Sequence, residues 1–358
     1  IKNLKCNSLS FVSNVNEISF DKGIDKFNCD CELKDISKTN YKKYFISEGE
    51  KLFLNEEIVN ISENILIPKD YVVVIKDGQK IFLTHNAFIF SKSRWLIDGK
   101  TESIYIGGKK NNLGGGILIF DANGKTKINN AEFAYLNGLQ KETTSAESIN
   151  AKKNNYQNDF ILFGSINFYN SRLHLLNAMF HNITSEDALN IVNSAYLIEN
   201  SKFKKIFSDA IDIDFGNGEI VDSTFSIIGN DAIDFSGSKS IVSNSSFNGI
   251  EDKIISVGES SKVNILKISG KNSYAGIVSK DSSDVSVDSV QFSNVKIPFS
   301  AYQKKSEYSF AKMDLRNIKS NNHILYSIID ENSKIFENKK QIGKTTNNIL
   351  SIIYENKI

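Results

Sequence analysis

Hydrophobic and polar residues alternate in short runs along most of this chain, and between about residues 172 and 260 the runs repeat. Four consecutive segments align as LHLLNAMFHNITSEDALNIVNS, AYLIENSKFKKIFSDAIDIDFG, GEIVDSTFSIIGNDAIDFSGS and KSIVSNSSFNGIEDKIISVGES. Phenylalanine recurs in them at spacings of 23, 22 and 22 residues, at Phe180, Phe203, Phe225 and Phe247. An Asn or Asp stands three residues before each phenylalanine, at Asn177, Asn200, Asp222 and Asn244. The chain is therefore a repeat protein, and the repeat must be explained before any motif.

Each repeat contains two or three short strands, with apolar residues at every second position and Asn, Gly, Ser or Asp between the strands. No repeat contains ten or more residues with helical periodicity, which excludes leucine-rich and helical solenoids. Units of about 22 residues made of strands and turns stack as a parallel β-helix, each coil rising by about 4.8 Å. The pattern therefore predicts an all-β, right-handed parallel β-helix with a phenylalanine column inside and an asparagine column at one turn.

The boundaries follow from where the alternation starts and stops. We expect an N-terminal cap region at 1–50, the β-helix at 51–320, and a C-terminal cap or side-packing segment at 321–358, because a solenoid must cover its open ends. Residues 140–158 are polar and aperiodic, which predicts a loop that leaves the helix. Cys6, Cys29 and Cys31 lie in the cap, and we interpret them as packing or a single disulfide rather than a metal site.

The composition of the chain excludes several classes of protein. Hydrophobic residues make up 40% of the chain, which excludes a disordered protein. There is no run of the roughly 18 apolar residues that a membrane span needs. The 43 Lys and Arg residues nearly balance the 42 Asp and Glu residues, so the chain has no large positive charge that would attract nucleic acid.

Acidic residues stack in the repeat. One column at intervals of 22 reads Asp187, Asp209, Asp231 and Lys253, and a second reads Asn190, Asp212, Asp234 and Ser256. The residues of the second column and Asp214 alternate with Ile, Leu, Phe and Val, which predicts that they point outward from a strand. The residues of the first column should lie at the start of the same strand. Carboxylates on neighbouring coils would lie about 5 Å apart, so a cation, protonation or Lys253 must relieve their repulsion.

Two interpretations of this column stay open. Oxygen ligands from Asp209, Asp212, Asp231 and Asp234 would suit Ca²⁺, which makes calcium the candidate cofactor. Alternatively, the column is a hydrated acidic ladder with no catalytic role.

The repeats, the Phe and Asn columns and the opening LIPKDYVVVIKDGQKI resemble bacterial right-handed β-helix proteins of the pectate-lyase-like superfamily. The resemblance implies action on polysaccharides, although the superfamily also contains non-enzymatic surface proteins. The same segments also resemble the catalytic motifs of polygalacturonase-like hydrolases. In that comparison Asp209 matches the Asp of the first motif, Asp231 matches the second residue of an Asp pair, and Lys280 matches the Lys of the last motif. Asn230, Lys253 and Val278 replace the expected Asp, His and Arg, which argues against an ordinary hydrolase.

We therefore expect a secreted or cell-surface protein that acts on an acidic, uronic-acid-containing polysaccharide by lyase or epimerase chemistry. The alternatives are a non-catalytic β-helix that binds glycan or protein, and a hydrolase with an altered catalytic set. The catalytic candidates are Asp231, Asp234, Lys253 and Lys280, with Asp209 in support. A lysine beside carboxylates has a raised pKa, however, and is a poor base unless its neighbours are neutralised. The sequence does not indicate which oligomeric state the protein adopts.

Overall fold

Almost every described residue lies in a β-strand or a tight turn. The computed structural model describes residues 40–139 and 164–355. Its strands pair in parallel with the strands one coil before and after them, and each coil contributes one strand to each of three sheets. The prediction of a parallel β-helix with coils of about 22 residues is thus confirmed. The cysteines, the expected loop at 140–158 and most of the N-terminal cap lie outside the described residues.

Sheet A carries the acidic residues. It consists of β4 (Ile65–Ile67), β7 (Phe88–Ser91), β10 (Gly116–Phe120), β13 (Gly164–Tyr169), β16 (Asp187–Val192), β19 (Asp209–Asp214), β22 (Ile233–Ser236), β25 (Lys253–Gly258), the ends of β27 (Ser269–Lys280) and β28 (Asp284–Tyr302), β30 (Ser327–Ile329) and β33 (Lys344–Thr345).

Sheet B follows sheet A in each coil. It consists of β2 (Lys51–Leu54), β5 (Val72–Ile75), β8 (Arg94–Asp98), β11 (Lys125–Asn129), β14 (Arg172–Leu176), β17 (Ala195–Glu199), β20 (Asn217–Val221), β23 (Lys239–Ser243), β26 (Lys262–Leu266), the starts of β28 and β29 (Lys312–Asn321), and β31 (Lys334–Glu337).

Sheet C completes the coil. It consists of β3 (Ile58–Ile61), β6 (Lys80–Leu83), β9 (Ile104–Gly107), β12 (Ala131–Ala134), β15 (Met179–Ile183), β18 (Lys202–Ile206), β21 (Thr224–Ile228), β24 (Ser246–Ile250), the start of β27, the middle of β28 and the end of β29.

The ends of the solenoid depart from this pattern. A 3-10 turn (Asn40–Lys43) and β1 (Phe45–Glu48), which is antiparallel to β2, begin the described part. Parallel pairing continues past residue 320 into β30 and β31, and β32 (Lys340–Ile342) turns back antiparallel to β31. A π-helical turn (Ser351–Glu355) then lies against the side of the solenoid. No helix in the described ranges is long and apolar enough to cross a membrane.

The interior is an aromatic stack, as the repeat predicts. The rings of Phe180, Phe203, Phe225 and Phe247 are buried, and successive ring centroids lie 4.7, 5.0 and 4.9 Å apart. The planes of Phe203 and Phe225 differ by 4°. Equivalent positions of parallel strands lie one strand spacing apart, so a 22-residue period forces identical side chains into contact.

The asparagine column lies at the turn between sheets B and C. Asn177, Asn200, Asp222 and Asn244 have φ angles of 55°, 45°, 53° and 50°. Asn and Asp tolerate this left-handed region better than other non-glycine residues, which explains their recurrence. The side-chain amide of Asn200 also donates to the side-chain oxygen of Asn177 at 2.6 Å.

Candidate functional site

The outer face of sheet A brings the sequence-predicted residues together. Asp187 is in register with Asp209, and Asn190 with Asp212, which is in register with Asp234 and then Ser256. We call this surface the acidic face; its members are Asp187, Asp209, Asp212, Asp214, Asp231 and Asp234, with Lys253 and Lys280 at one end. The residues between them, such as Ile211 and Ile213, are fully buried inside the coil. The predicted alternation of outward acids and inward apolar residues is therefore correct from Ile211 to Asp214. It is wrong at Phe215, which the same pattern places inside but which is exposed, because its φ of 54° ends the extended strand.

The first column is built by hydrogen bonds between coils. The Asp209 carboxylate accepts from the backbone N–H of Asp231 at 2.8 Å and from the side-chain amide of Asn230 at 2.7 Å. Asp231 repeats this one coil later, accepting from the backbone N–H of Lys253 at 2.9 Å. Each carboxylate thus caps a main-chain donor at the corner that precedes a sheet A strand. This is a structural reason for an acid at this position that is independent of catalysis.

Lys253 is a buried ion-paired residue. Its Nζ lies 3.3 Å from Asp231 Oδ1 and also bonds Asp252, a partner that the column pattern did not reveal. Its side chain is 3% exposed. Burial alone lowers the pKa of Lys253, but the carboxylates of Asp231 and Asp252 more than offset this and raise it above the ordinary value. In this state the lysine holds its proton at neutral pH and is not a base.

Lys280 lies on the same side. Its Nζ is 3.8 Å from Asp234 Oδ1, and its side chain is 9% exposed. Burial lowers the pKa of Lys280, yet the Asp234 carboxylate contributes enough attraction to raise it overall. Lys280 is therefore the cation that Asp234 faces, and it stays charged.

Five acids of the face have raised pKa values because they are buried beside other carboxyl groups. Burial, and then the charge of Asp231, raises the pKa of Asp209 to about 8. Burial and Glu259 raise that of Asp214 to about 6. Burial raises that of Asp231 to about 6, although Lys253 pulls it down. The pKa values of Asp187 and Asp212 are raised well above the ordinary range, again by burial first. At neutral pH the face therefore combines neutral carboxyl groups with ionised carboxylates.

The donor arrangement does not favour calcium. The described residues contain no group of three or more Asp, Glu, His or Cys side chains arranged to hold a metal ion. One oxygen each of Asp209 and Asp231 already accepts a hydrogen bond from a backbone N–H. The calcium site at Asp209, Asp212, Asp231 and Asp234 stays a prediction, and no chemical step is assigned to it.

Two exposed aromatic rings flank the acidic strand β19, and the sequence reasoning missed both. Phe207 precedes Asp209 and is 72% exposed, and Phe215 follows Asp214 and is 49% exposed. The turn has room for the Phe215 ring because residue 237 is a glycine, where a Cβ would lie 2.6 Å from the ring. Their signal in the sequence is that neither phenylalanine belongs to the Phe203–Phe225 column. Both rings place apolar surface at the two ends of the strand that carries Asp209, Asp212 and Asp214.

The C-terminal segment covers the lysine end of the face. Ile349 and Ile353 are buried against an apolar patch on the outer face of the last coils, formed by Tyr274, Ala275, Val278, Ile297, Tyr302 and Ile328. The hydroxyl of Tyr354 hydrogen bonds that of Tyr302 at 2.7 Å, and its ring centroid lies 4.8 Å from Lys253 Nζ. Asp209, Asp212, Asp214 and Asp234 remain partly exposed, whereas Asp231 is buried. The accessible part of the face is thus its acidic part.

The histidines do not join this face. His174 pairs with Glu199 at 2.7 Å, and His181 pairs with Glu132 at 2.8 Å. Glu132 lies 49 residues before His181 in the chain, and only the stacking of the coils brings the two side chains together.

Comparisons with known proteins find similar solved structures but no similar sequences. No protein-family model matches the chain, and no curated protein does. Among solved structures, the chain is similar to the periplasmic alginate epimerase AlgG (12% identity, 85% of this chain and 82% of that chain, TM-score 0.49). It is also similar to the A-module of the Azotobacter vinelandii mannuronan C-5 epimerase AlgE4 (10% identity, 80% of this chain and 91% of that chain, TM-score 0.44). A third similar structure is an alginate lyase from Paenibacillus sp. str. FPU-7 (9% identity, 80% of this chain and 99% of that chain, TM-score 0.42). At these identities and scores the likenesses carry no argument about chemistry.

Proposed function

We propose that the acidic face binds an acidic, uronic-acid-containing polysaccharide and transforms it by lyase or epimerase chemistry. One observation carries the proposal: partly exposed carboxyl groups with pKa values raised towards neutrality lie on one strand between two exposed phenylalanine rings. Perturbed titratable groups beside exposed apolar surface are the usual mark of a reaction site. An exported or cell-surface location belongs to the same proposal, as does the polysaccharide partner.

The raised pKa values answer the objection that an acidic face repels a polyanion. A carboxyl group that keeps its proton, such as Asp209, is neutral and donates an O–H to a sugar carboxylate. Lys280 adds a positive charge beside Asp234. Phe207 and Phe215 offer flat apolar surface to the C–H faces of sugar rings on either side.

The reaction needs a base and a way to hold negative charge. A carboxylate that is ionised at neutral pH, with Asp214 the accessible candidate, takes the proton from the carbon next to the sugar carboxylate. The electron pair moves into that carboxylate, where the neutral acids and Lys280 stabilise it. Return of a proton to the opposite face gives the epimer, whereas expulsion of the neighbouring glycosidic oxygen, which takes up a proton, gives the lyase product.

This proposal assigns different roles within the sequence-predicted set. Lys253 and Asp231 are buried and paired, so they would fix the geometry of the face rather than touch the sugar. Asp209 and Asp234 would contact it, with Asp214 added from the same strand. A glycan-binding protein without catalysis is the rival, and the cover that residues 349–354 form over Lys253 is the observation that favours it.

Incubation with polygalacturonate, polymannuronate and polyguluronate tests the proposal. A lyase produces unsaturated ends that absorb ultraviolet light, and an epimerase changes the sugar signals in proton NMR spectra without chain cleavage. We expect Asp214→Asn to lower turnover by a factor of about 10² or more, the usual contribution of a general base.

The matched control is Asp222→Asn, the same chemical change in the same coil. This position carries Asn in the neighbouring coils, so the turn accepts the substitution. Binding of a polymer with no turnover would favour the rival, and equal turnover by Asp214→Asn and the parent would refute the assigned base. New reducing ends without unsaturation would indicate a hydrolase.

A further inference from the structure

A line of cations runs along a different face of the solenoid. The first residue of each sheet B strand points outward, and the strand register stacks these residues into one column. Eight of the twelve positions are Lys or Arg and one is acidic: Lys51, Val72, Arg94, Lys125, Arg172, Ala195, Asn217, Lys239, Lys262, Asp284, Lys312 and Lys334. We call the eight cations of this column the basic stripe.

The stripe is not a simple consequence of overall composition. The corresponding outward column of sheet C contains three lysines and one acid among eleven positions: Ile58, Lys80, Tyr105, Glu132, Met179, Lys202, Thr224, Ser246, Ser269, Gln291 and Lys319. The same coils on sheet A present carboxylates. Three faces of one repeat therefore differ in charge, and only sheet B concentrates cations in a line.

The stripe is available for binding. Seven of its eight members are exposed and Arg94 is half-buried. Within the described part of the chain, Lys312 alone forms an ion pair, with Asp314 at 2.5 Å. Adjacent lysines one strand spacing apart repel by about 1 kcal/mol or less in water, so the fold tolerates the arrangement but does not neutralise it.

The centre of the stripe is concave. A cavity of about 360 Å³ opens on sheet B between Lys239 and Lys262, over Ile241. Asn217 and Asp284 lie at its two ends along the column, and Glu219 also lines it. A sugar ring could enter this depression while charged groups on either side of it meet the lysines. A column of cations with a ring-sized depression suits a chain of linked rings that carries one negative charge per unit.

We infer that the basic stripe is a binding surface for a linear acidic polysaccharide that lies along the solenoid axis. Positions spaced about 4.8 Å apart in one line, eight of the twelve cationic, match a single chain better than a nucleic acid duplex, which carries a charge every 1.7 Å or so. A duplex would also spread over Glu219 and Asp314, two residues along the strands from the stripe, and over Asp98, Glu199 and Asp288, about 13 Å away. The inference goes beyond the proposed function, because the stripe binds the polymer whether or not sheet A transforms it.

The test compares two double variants by calorimetric titration with polygalacturonate at low salt. Lys239→Gln with Lys262→Gln removes the two stripe cations beside the cavity, and Lys80→Gln with Lys202→Gln removes two cations from sheet C. Each lost charge contact removes one set of released counterions, so we expect the stripe variant to bind about tenfold or more weakly. The slope of log K against log salt should also become shallower by about 1.4–1.8, because each of the two lost contacts accounts for about 0.7–0.9, while the sheet C variant matches the parent.

The outcomes of this test are distinguishable. Polymer binding by the stripe variant is measured without turnover, so a failure of the proposed chemistry would leave this result intact. Equal weakening by both double variants would mean nonspecific charge attraction and would overturn the inference. Tighter binding of single-stranded or duplex DNA than of polygalacturonate at the same salt concentration would also overturn it.

Discussion

The acidic face of sheet A and the basic stripe of sheet B are both columns of like charge produced by one repeat, yet their electrostatics differ. On sheet A the carboxyl groups are buried or partly buried, burial raises the pKa values of Asp209 and Asp231, and Lys253 is paired with two acids. On sheet B the cations are exposed and mostly unpaired. Solvent and salt screen exposed charges, whereas buried charges must be paired or neutralised. A stacked charge therefore perturbs the fold only where the tertiary structure buries it.

Removal of a buried cation should have the largest effect. Lys253→Met leaves Asp231 and Asp252 without their counter-charge, and we expect a loss of about 3–5 kcal/mol in unfolding free energy. Lys239→Met, the same change on the stripe, should alter stability by no more than about 0.5 kcal/mol. Urea denaturation at pH 7 measures both, and equal losses would contradict the distinction between the two columns.

A triple variant separates the lost pairing from lost packing. Lys253→Met combined with Asp231→Asn and Asp252→Asn removes all three charges, so most of the stability should return. If the triple variant is as unstable as Lys253→Met, the lysine stem rather than its charge stabilises this corner.

The acidic face should also make stability fall as the pH rises. Below about pH 4 the Asp209 carboxyl is protonated in both folded and unfolded chains and has no effect. Between about pH 4 and 8 the unfolded chain releases this proton while the folded chain keeps it, because its folded pKa is about 8. Stability should therefore drop with a slope of up to about 1.4 kcal/mol per pH unit for each such carboxyl, with Asp214 and Asp231 contributing only up to about pH 6.

Asp209→Asn checks the source of this slope. The amide oxygen still accepts the backbone N–H of Asp231, so the corner is kept while the titrating group is lost. We expect the variant to be more stable than the parent at pH 8 and about equally stable at pH 4, as measured by thermal unfolding. A slope that is unchanged in the variant would show that Asp209 is not responsible.

The smallest effect belongs to the stripe. Lys239→Glu places an acid directly opposite Lys262 on the next coil, replacing a repulsion by an attraction. Exposed pairs of this kind contribute about 0.2–1 kcal/mol, and salt screens them. The gain should be measurable at 20 mM salt and absent near 1 M. A gain that persists at high salt would indicate that the stripe is not governed by screened charge.

Much of the fold could be predicted from the sequence, because the spacing within the repeat sets the coil length and the stacking. The Phe203–Phe225–Phe247 spacing fixes the coil length, and parallel pairing then forces these rings, and Asp212 and Asp234, into register. The same logic correctly placed Ile211 and Ile213 inside. It did not identify Phe207 and Phe215 as surface residues, because their place outside the phenylalanine column does not show which side of a corner each ring occupies.

The tertiary structure alone decided the chemical state of the site. Asp252 pairs with Lys253 although it lies outside the repeating columns, and Tyr354 reaches Lys253 from about 100 residues further along the chain. Burial by such distant contacts sets the pKa values, and it cannot be read from a 22-residue period. The sequence by itself determined which side chains stack, because the spacing of strands is a local property of parallel pairing. Which stacks are covered, paired or left open depends on long-range packing, so only the folded chain decides it.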